Sequence, residues 1–93
     1  MKKFLIAGTI ALALSTTAQA AKVGILMGFT GPIESLTTGI AAGAKIAITE
    51  VNAAGQLPHI DIVEADTTCV DAGAATTSAM RLVNFEKVNA IVG

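Results

Sequence analysis

Residues 22–29 read KVGILMGF, a short and almost entirely apolar run that ends at the turn residues Thr30, Gly31 and Pro32. A continuous apolar run of this length is typical of a strand that is buried on both faces of a parallel sheet. The sequence therefore predicts a buried strand here. The elements that follow it along the chain decide what kind of sheet it belongs to.

A long amphipathic helix is predicted after this turn, over residues 35–54. Gly55 follows it and can adopt the left-handed conformation that closes a helix, while Pro58 prevents the helix from resuming. Spacings of mostly three and four residues place the apolar side chains on one helical face. These side chains are Leu36, Ile40, Ala44, Ala47, Ile48 and Val51.

The remaining sequence predicts two more strands with a helix between them. β-branched residues favour a strand over residues 60–66, and Asp71 is placed to cap a helix that runs to about residue 85. The apolar residues 88–93 predict the third strand. Strands that alternate with helices predict an α/β fold, here the β-α-β-α-β start of a doubly wound parallel sheet with right-handed crossovers. We expect Ala75, Ala79, Leu82 and Val83 to line one side of the second helix.

The first twenty residues have the three parts of a secretory signal peptide. Lys2 and Lys3 form a basic start, residues 4–14 are apolar, and small residues lead to a cleavage site between Ala20 and Ala21. As a helix, an apolar run of about 11 residues covers roughly 17 Å, well short of the ~30 Å hydrocarbon core of a bilayer. We therefore expect residues 1–20 to be removed and the rest to act outside the cytoplasm.

Charge and glycine spacing argue against nucleic acid and nucleotides as ligands. The chain has 6 Lys and Arg against 7 Asp and Glu, without the basic cluster that phosphate neutralisation requires. Gly24, Gly28 and Gly31 precede a helix but match neither the G-x-G-x-x-G nor the G-x-x-x-x-G-K motif. The sequence predicts no nucleotide cofactor, and it shows no cluster of metal ligands.

Few residues after the strands have side chains suited to catalysis. Asp66, Cys69 and Asp71 follow the second strand, but no base stands beside them in the sequence, and His59 lies alone in a turn. The simplest interpretation of Asp66 is an acid at a strand end. We expect a protein that is not an enzyme, with a secreted α/β enzyme as the less favoured alternative.

Cys69 is the one cysteine of the sequence. In a secreted protein an unpaired cysteine suggests a missing partner, a small buried thiol or a reactive thiol. A parallel sheet is covered on both faces, so a third strand at Gly93 leaves an edge that requires more chain. We favour an N-terminal piece of a longer protein in which Cys69 pairs with a cysteine beyond Gly93.

The same segments resemble, in order, the N-terminus of the periplasmic leucine/isoleucine/valine-binding protein family, the type I solute-binding proteins of ABC transporters. The resemblance covers residues 22–93. It is carried by Thr-Gly-Pro at residues 30–32, by Glu-Val-Asn-Ala-Ala-Gly at residues 50–55, and by Ala-Ile-Val-Gly at residues 90–93. It implies that residues 21–93 are the incomplete N-terminal part of the first of two lobes that close on a small ligand.

The resemblance also implies a function and a set of ligand-facing residues. The protein would be a periplasmic component of an ABC importer that binds an amino acid or amide and delivers it to permease subunits in the inner membrane. The loop after the first strand faces the cleft in this family. Ligand contacts are therefore expected at Thr30, Gly31, Pro32, Ser35 and Leu36.

Two details of the family pattern bear on this chain. Well-studied leucine-binding members have an aromatic residue near position 36, where this chain has Leu36. Some members pair a cysteine at the position of Cys69 with one shortly after the third strand.

The alternative function is a ligand-sensing lobe of a receptor or regulator with the same fold.

Overall fold

A computed structural model describes residues 20–93, so the signal peptide expected at residues 1–20 lies outside the described part except for its last residue. The elements alternate between strand and helix as the sequence predicts. In chain order they are β1 (Ala21–Met27), α1 (Glu34–Ala54), β2 (Ile60–Asp66), α2 (Ala72–Met80), a π-helical segment (Arg81–Phe85) and β3 (Ala90–Val92). No helix within residues 20–93 combines the length and apolar character needed to cross a membrane.

The three strands form a parallel sheet in the order β2-β1-β3. β1 is the central strand, and its middle residues Gly24 and Ile25 are buried. The chain leaves β1 for β2 on one side and then crosses to β3 on the other. Because such crossovers are right-handed, α1 and α2 cover opposite faces of the sheet, which confirms the doubly wound α/β fold.

Helix α1 begins one residue earlier than predicted and ends at the predicted residue. Gly55 follows it with φ of 71°, the left-handed conformation expected for a helix-closing glycine. Asn52, in the last turn, also ties the helix to the next strand. Its side-chain amide donates to the Ile60 carbonyl at 2.9 Å, and its side-chain oxygen accepts from the Ile60 amide at 2.8 Å.

The buried side of α1 agrees only in part with the predicted apolar face, of which Ala44 and Ile48 are half-buried. Leu36 and Ile40 are 65% and 58% exposed, whereas the buried residues of the helix are Thr37 and Ala41. These smaller side chains let the helix approach the sheet, and the Thr37 hydroxyl is satisfied by a hydrogen bond. The apolar pattern identified a helix correctly but did not separate its two apolar sides.

The opposite face of the sheet is covered by α2 and the π-helical segment. Asp71 caps α2 as predicted, because its Oδ1 accepts from the amides of Gly73 and Ala74 at 2.8 and 3.2 Å. Leu82 in the π-helical segment is fully buried, but Val83 is 53% exposed. The extra residue in the π turn rotates Val83 away from the side on which the sequence placed it.

Strand β3 is shorter than the six residues predicted for it and forms one edge of the described sheet. Asn89, just before it, donates from its amide to the Lys22 carbonyl at 2.7 Å, and its side-chain oxygen accepts from the Lys22 amide at 2.8 Å. This pair replaces a regular ladder contact, so the strand begins only at Ala90. Ile91 and Val92 remain 41% and 42% exposed.

Candidate functional site

The strand order places a topological switch point between β1 and β3. In open α/β sheets, ligands bind in the crevice beyond the carboxyl ends of the strands at such a point. An open pocket of about 480 Å³ lies there, lined by residues that include Gly28 after β1, Thr37 in the first turns of α1, Cys69 after β2, and Val92 at the end of β3. This edge of the sheet is the candidate functional site.

The loop between β1 and α1 forms one rim of this site. Gly31 has φ of 102°, and a Cβ on it would lie 2.6 Å from the Thr68 carbonyl oxygen, so both the conformation and the space require glycine. The turn brings the loop against the segment that follows β2. The Gly31 carbonyl then accepts from the Glu34 amide at 3.3 Å, where α1 begins.

All five residues expected to contact a ligand lie on this rim. Thr30, Gly31 and Pro32 form the exposed turn, while Ser35 and Leu36 are exposed in the first turn of α1. None of the five lines the 480 Å³ pocket, which lies behind them at β1 and β3. The structure thus brings the five residues together at the carboxyl edge of the sheet, with two hydroxyls and the apolar side chains of Pro32 and Leu36 open to solvent.

Asp66 at the end of β2 holds this loop in place. It pairs in register with Met27, so its carboxylate lies beside the residues that leave β1. Oδ1 accepts from the Phe29 amide at 2.8 Å and the Thr30 amide at 3.3 Å, and Oδ2 accepts from the Thr30 hydroxyl. The Thr68 amide donates to Oδ1 at 2.8 Å as well.

These hydrogen bonds stabilise the charged form of the carboxyl group. The Thr30 hydroxyl, followed by the Thr68 amide, holds the pKa of Asp66 below its usual value of 3.8. Sequence reasoning treated Asp66 as a simple strand-end acid and missed this role. The available signal was its position: an acid at the end of β2, in a parallel pairing that puts it beside the Thr-Gly-Pro turn.

Thr37 anchors the start of the same loop from the helix side. Its buried hydroxyl donates to the Gly28 carbonyl at 2.7 Å. This hydrogen bond satisfies a backbone acceptor that has just left the sheet ladder. Sequence reasoning missed Thr37 too, because a threonine in an amphipathic helix is normally expected on the solvent-facing side.

Cys69 lies in the second loop of the site, where Thr68 and Cys69 both have left-handed backbone angles, with φ of 58° and 66°. Cys69 is exposed within the described residues, so nothing among them buries its thiol. It lines the same pocket as Val92 and Gly93, and a Cβ on Gly28 would lie 3.0 Å from its own Cβ, so it lies beside the end of β1. A second pocket of about 370 Å³ lies on the other side of this loop, at the start of α2.

His59 lies far from this site. It precedes β2, whose opposite end carries Asp66, and its Nε2 is 3.4 Å from Asp61 Oδ1 on the exposed surface. Within residues 20–93 no three His, Cys, Asp or Glu side chains come together in a way that could hold a metal ion. The rim carries hydroxyls, backbone amides and one carboxylate, whereas the pocket beside it is lined mainly by apolar side chains such as Leu26, Ile33 and Ile40.

Comparison with known proteins agrees with this geometry. The family model described as periplasmic binding protein matches residues 20–93. The chain is 38% identical over 96 residues to proteins named Leu/Ile/Val-binding protein homolog 7 from Brucella suis biovar 1 (strain 1330) and from Brucella melitensis biotype 1 (strain ATCC 23456). It is 35% identical over 98 residues to Leu/Ile/Val-binding protein homolog 8 of the same Brucella suis strain.

Each of these alignments covers 100% of this chain but only 24% of the relative, so the chain spans about a quarter of the length of the proteins it matches. No solved structure gives a significant match. The family model covers every described residue, including the three strands and the loops that form the candidate site. The chain therefore belongs to the periplasmic binding protein family.

Proposed function

We propose that this chain is the N-terminal part of the first lobe of a solute-binding protein that takes an amino acid of the branched-chain type or a related small polar ligand. The observation that carries the proposal is the rim at residues 30–36, beside a pocket at the switch point of the sheet. The relatives are named for leucine, isoleucine and valine binding, which supports the ligand class.

The organisation of the precursor is part of the same proposal. Residues 1–20 are a signal peptide cleaved between Ala20 and Ala21, and residues 21–93 enter the periplasm as part of a longer, two-lobed protein. Closure of the second lobe over the exposed rim buries the ligand, and permease subunits of an ABC importer in the inner membrane receive it. The length of the relatives supports a second lobe, since this chain accounts for 24% of theirs.

Leu36 has a distinct role in this proposal. Its side chain is 65% exposed on the rim, next to hydroxyls that can bind the polar part of a ligand. An apolar side chain in this position gains stability only when something apolar covers it, such as an aliphatic ligand side chain or the opposing lobe. Leu36 therefore favours an aliphatic amino acid over a small amide.

The test uses the full-length mature protein and isothermal titration calorimetry with L-leucine, L-isoleucine, L-valine and acetamide. We expect binding of at least one of the three amino acids, and Leu36→Ala should weaken it roughly tenfold. Leu57→Ala is the matched control, because Leu57 is 60% exposed in the turn before β2, away from the rim, and its loss should leave affinity unchanged. Binding of none of these amino acids would contradict the proposed ligand class.

A further inference from the structure

We propose that Asp66 is a positioning residue for ligand binding, which fixes the loop after β1 and turns the Thr30 hydroxyl so that it faces the ligand as a hydrogen-bond acceptor. This inference rests on the proposed function of the rim. It is carried by the contacts of the Asp66 carboxylate. Oδ1 accepts from three backbone amides and so fixes the loops, whereas Oδ2 accepts from the Thr30 hydroxyl and so orients it.

The Asp66 carboxylate joins the loop after β1 to the loop after β2. Oδ1 accepts from Phe29 and Thr30 on the first loop and from Thr68 on the second. The Thr30 amide and hydroxyl make no other hydrogen bond within residues 20–93. Asp66 therefore provides the hydrogen bonds that orient the Thr30 amide and hydroxyl.

The carboxylate is itself held on rigid structure. Asp66 is the last residue of β2 and pairs with Met27 of the central strand. Its carbonyl oxygen accepts from the Ser78 hydroxyl of α2 at 2.6 Å, and the next amide, of Thr67, donates to the Met27 carbonyl at 2.9 Å. A site residue fixed by neighbouring strands and a helix holds its geometry better than a loop can alone.

The direction of the Thr30 hydrogen bond sets what Thr30 offers to a ligand. A threonine hydroxyl has one hydrogen, and here it is donated to Asp66 Oδ2. Only its lone pairs remain, so Thr30 can accept from an ammonium or amide N–H but has no hydrogen for a carboxylate. The negative charge of Asp66 beside it favours the same end of an amino acid.

Asp71 provides a matched control. It lies five residues further along the same edge, and its Oδ1 also accepts from two backbone amides, those of Gly73 and Ala74. All of these contacts are within α2 and its cap, and none reaches Thr30. Asp71→Asn therefore removes the same unit of charge from this edge without touching the ligand rim.

Asp66→Asn separates the two oxygens of the carboxylate. The asparagine oxygen can still accept from the three amides, but its NH₂ group replaces Oδ2 and donates, so the Thr30 hydroxyl has to reverse its hydrogen. The full-length protein is titrated with L-leucine. We expect Asp66→Asn to weaken the affinity for L-leucine about tenfold and Asp71→Asn to change it less than twofold. Equal effects of the two variants would overturn the inference.

A double-mutant cycle with Thr30 tests whether Asp66 acts through that hydroxyl. Thr30→Val should weaken L-leucine binding, Thr30→Ser should restore it, and Asp66→Asn should cost much less in the Thr30→Val background than alone. A purely structural role would instead give additive losses and no rescue by serine. If Asp66→Asn failed to fold, the variants at position 30 would still test the inference. Equal binding by Thr30→Val and Thr30→Ser would overturn it, because the Thr30 hydroxyl would then have no role for Asp66 to position.

The outcomes distinguish this inference from the proposed function. If the wild-type protein binds L-leucine but Asp66→Asn binds it equally well, the positioning role is wrong and the proposed function stands. If the wild-type protein binds none of L-leucine, L-isoleucine and L-valine, the proposed ligand class is wrong. The positioning role is then wrong as well. Faster hydrogen exchange of the Phe29 and Thr30 amides in Asp66→Asn would in that case show only that Asp66 stabilises the loop.

Discussion

Gly24 of the central strand lies directly against Leu82, so that a Cβ on Gly24 would be 2.8 Å from Leu82 Cδ1 and 3.2 Å from Cδ2. Leu82 is fully buried and belongs to the π-helical segment that ends the second helix. The absence of a side chain at Gly24 thus gives Leu82 room to lie on the strand. This packing, and not the binding of a phosphate, explains why glycine stands in the middle of β1.

Gly24→Ala should therefore destabilise the protein. The added methyl group must displace Leu82, one of the two largest fully buried side chains of the described residues, and overpacking of this kind costs about 1–3 kcal/mol. Urea unfolding of the full-length protein measures the change. Gly39→Ala is the control, since a Cβ at Gly39 meets nothing within 4 Å in mid-helix and should stabilise by about 0.5–1 kcal/mol. A neutral Gly24→Ala would show that Leu82 can move freely.

Thr37→Val should also destabilise the protein, although the two side chains have nearly the same shape. The substitution leaves the Gly28 carbonyl, which accepts from the buried Thr37 hydroxyl at 2.7 Å, without this partner. A buried polar group that loses its partner costs about 1–3 kcal/mol. Thr38→Val is the matched control, because Thr38 is exposed and its hydroxyl bonds only within α1, to the Glu34 carbonyl. Equal effects in urea unfolding would mean that the Thr37 bond contributes little.

Local signals in the sequence predicted the ends of elements well. Gly55 closes α1 and Asp71 caps α2 because each acts on residues within a turn of itself, which a linear sequence displays directly. The run at residues 60–66 matches β2 for the same reason. The turn at residues 30–32 was also expected from its own residues, whereas the ligand-facing role of residues 30–36 came only from the family resemblance.

Contacts between distant segments could not be predicted in this way. Asp66 and Thr30 are 36 residues apart, and only the parallel register brings them together. The sheet-facing side of α1 depends on how closely the helix approaches the strands, which favours Ala41 over the larger Ile40. Leu82 lies in a π turn and packs against Gly24, 58 residues away, and periodicity along α2 shows neither feature.

The stability of the protein should fall in acid partly because Asp66 becomes protonated. Its pKa in the folded protein lies below the usual value of 3.8, chiefly because of the Thr30 hydroxyl. A carboxyl group with a lowered pKa contributes stability above its unfolded value and loses that contribution as the pH falls through the folded value. Melting temperatures of wild type and Asp66→Asn should therefore converge as the pH is lowered from about 5 to about 2.

Thr30→Val is the control for this pH dependence. It removes the largest cause of the lowered pKa but keeps the carboxyl group and the three amides that donate to Oδ1. Its melting temperature should fall less steeply with acid than that of the wild type and more steeply than that of Asp66→Asn. An identical pH profile for all three proteins would show that these hydrogen bonds do not stabilise the charged form.

Cys69 should be oxidised in the full-length protein purified from the periplasm. It is exposed and lines the pocket at the end of β3, so a cysteine shortly after Gly93 would come within reach of it. Residues 1–93 contain one cysteine, so a disulfide requires a partner outside them. Mass spectrometry after iodoacetamide treatment should find Cys69 unmodified without reductant and alkylated after reduction.

Cys69→Ser should then lower the melting temperature, because loss of a disulfide costs about 2–5 kcal/mol in small secreted domains. A thiol that reacts without reduction would contradict this pairing, and it would make Cys69 a free, exposed thiol beside the ligand rim.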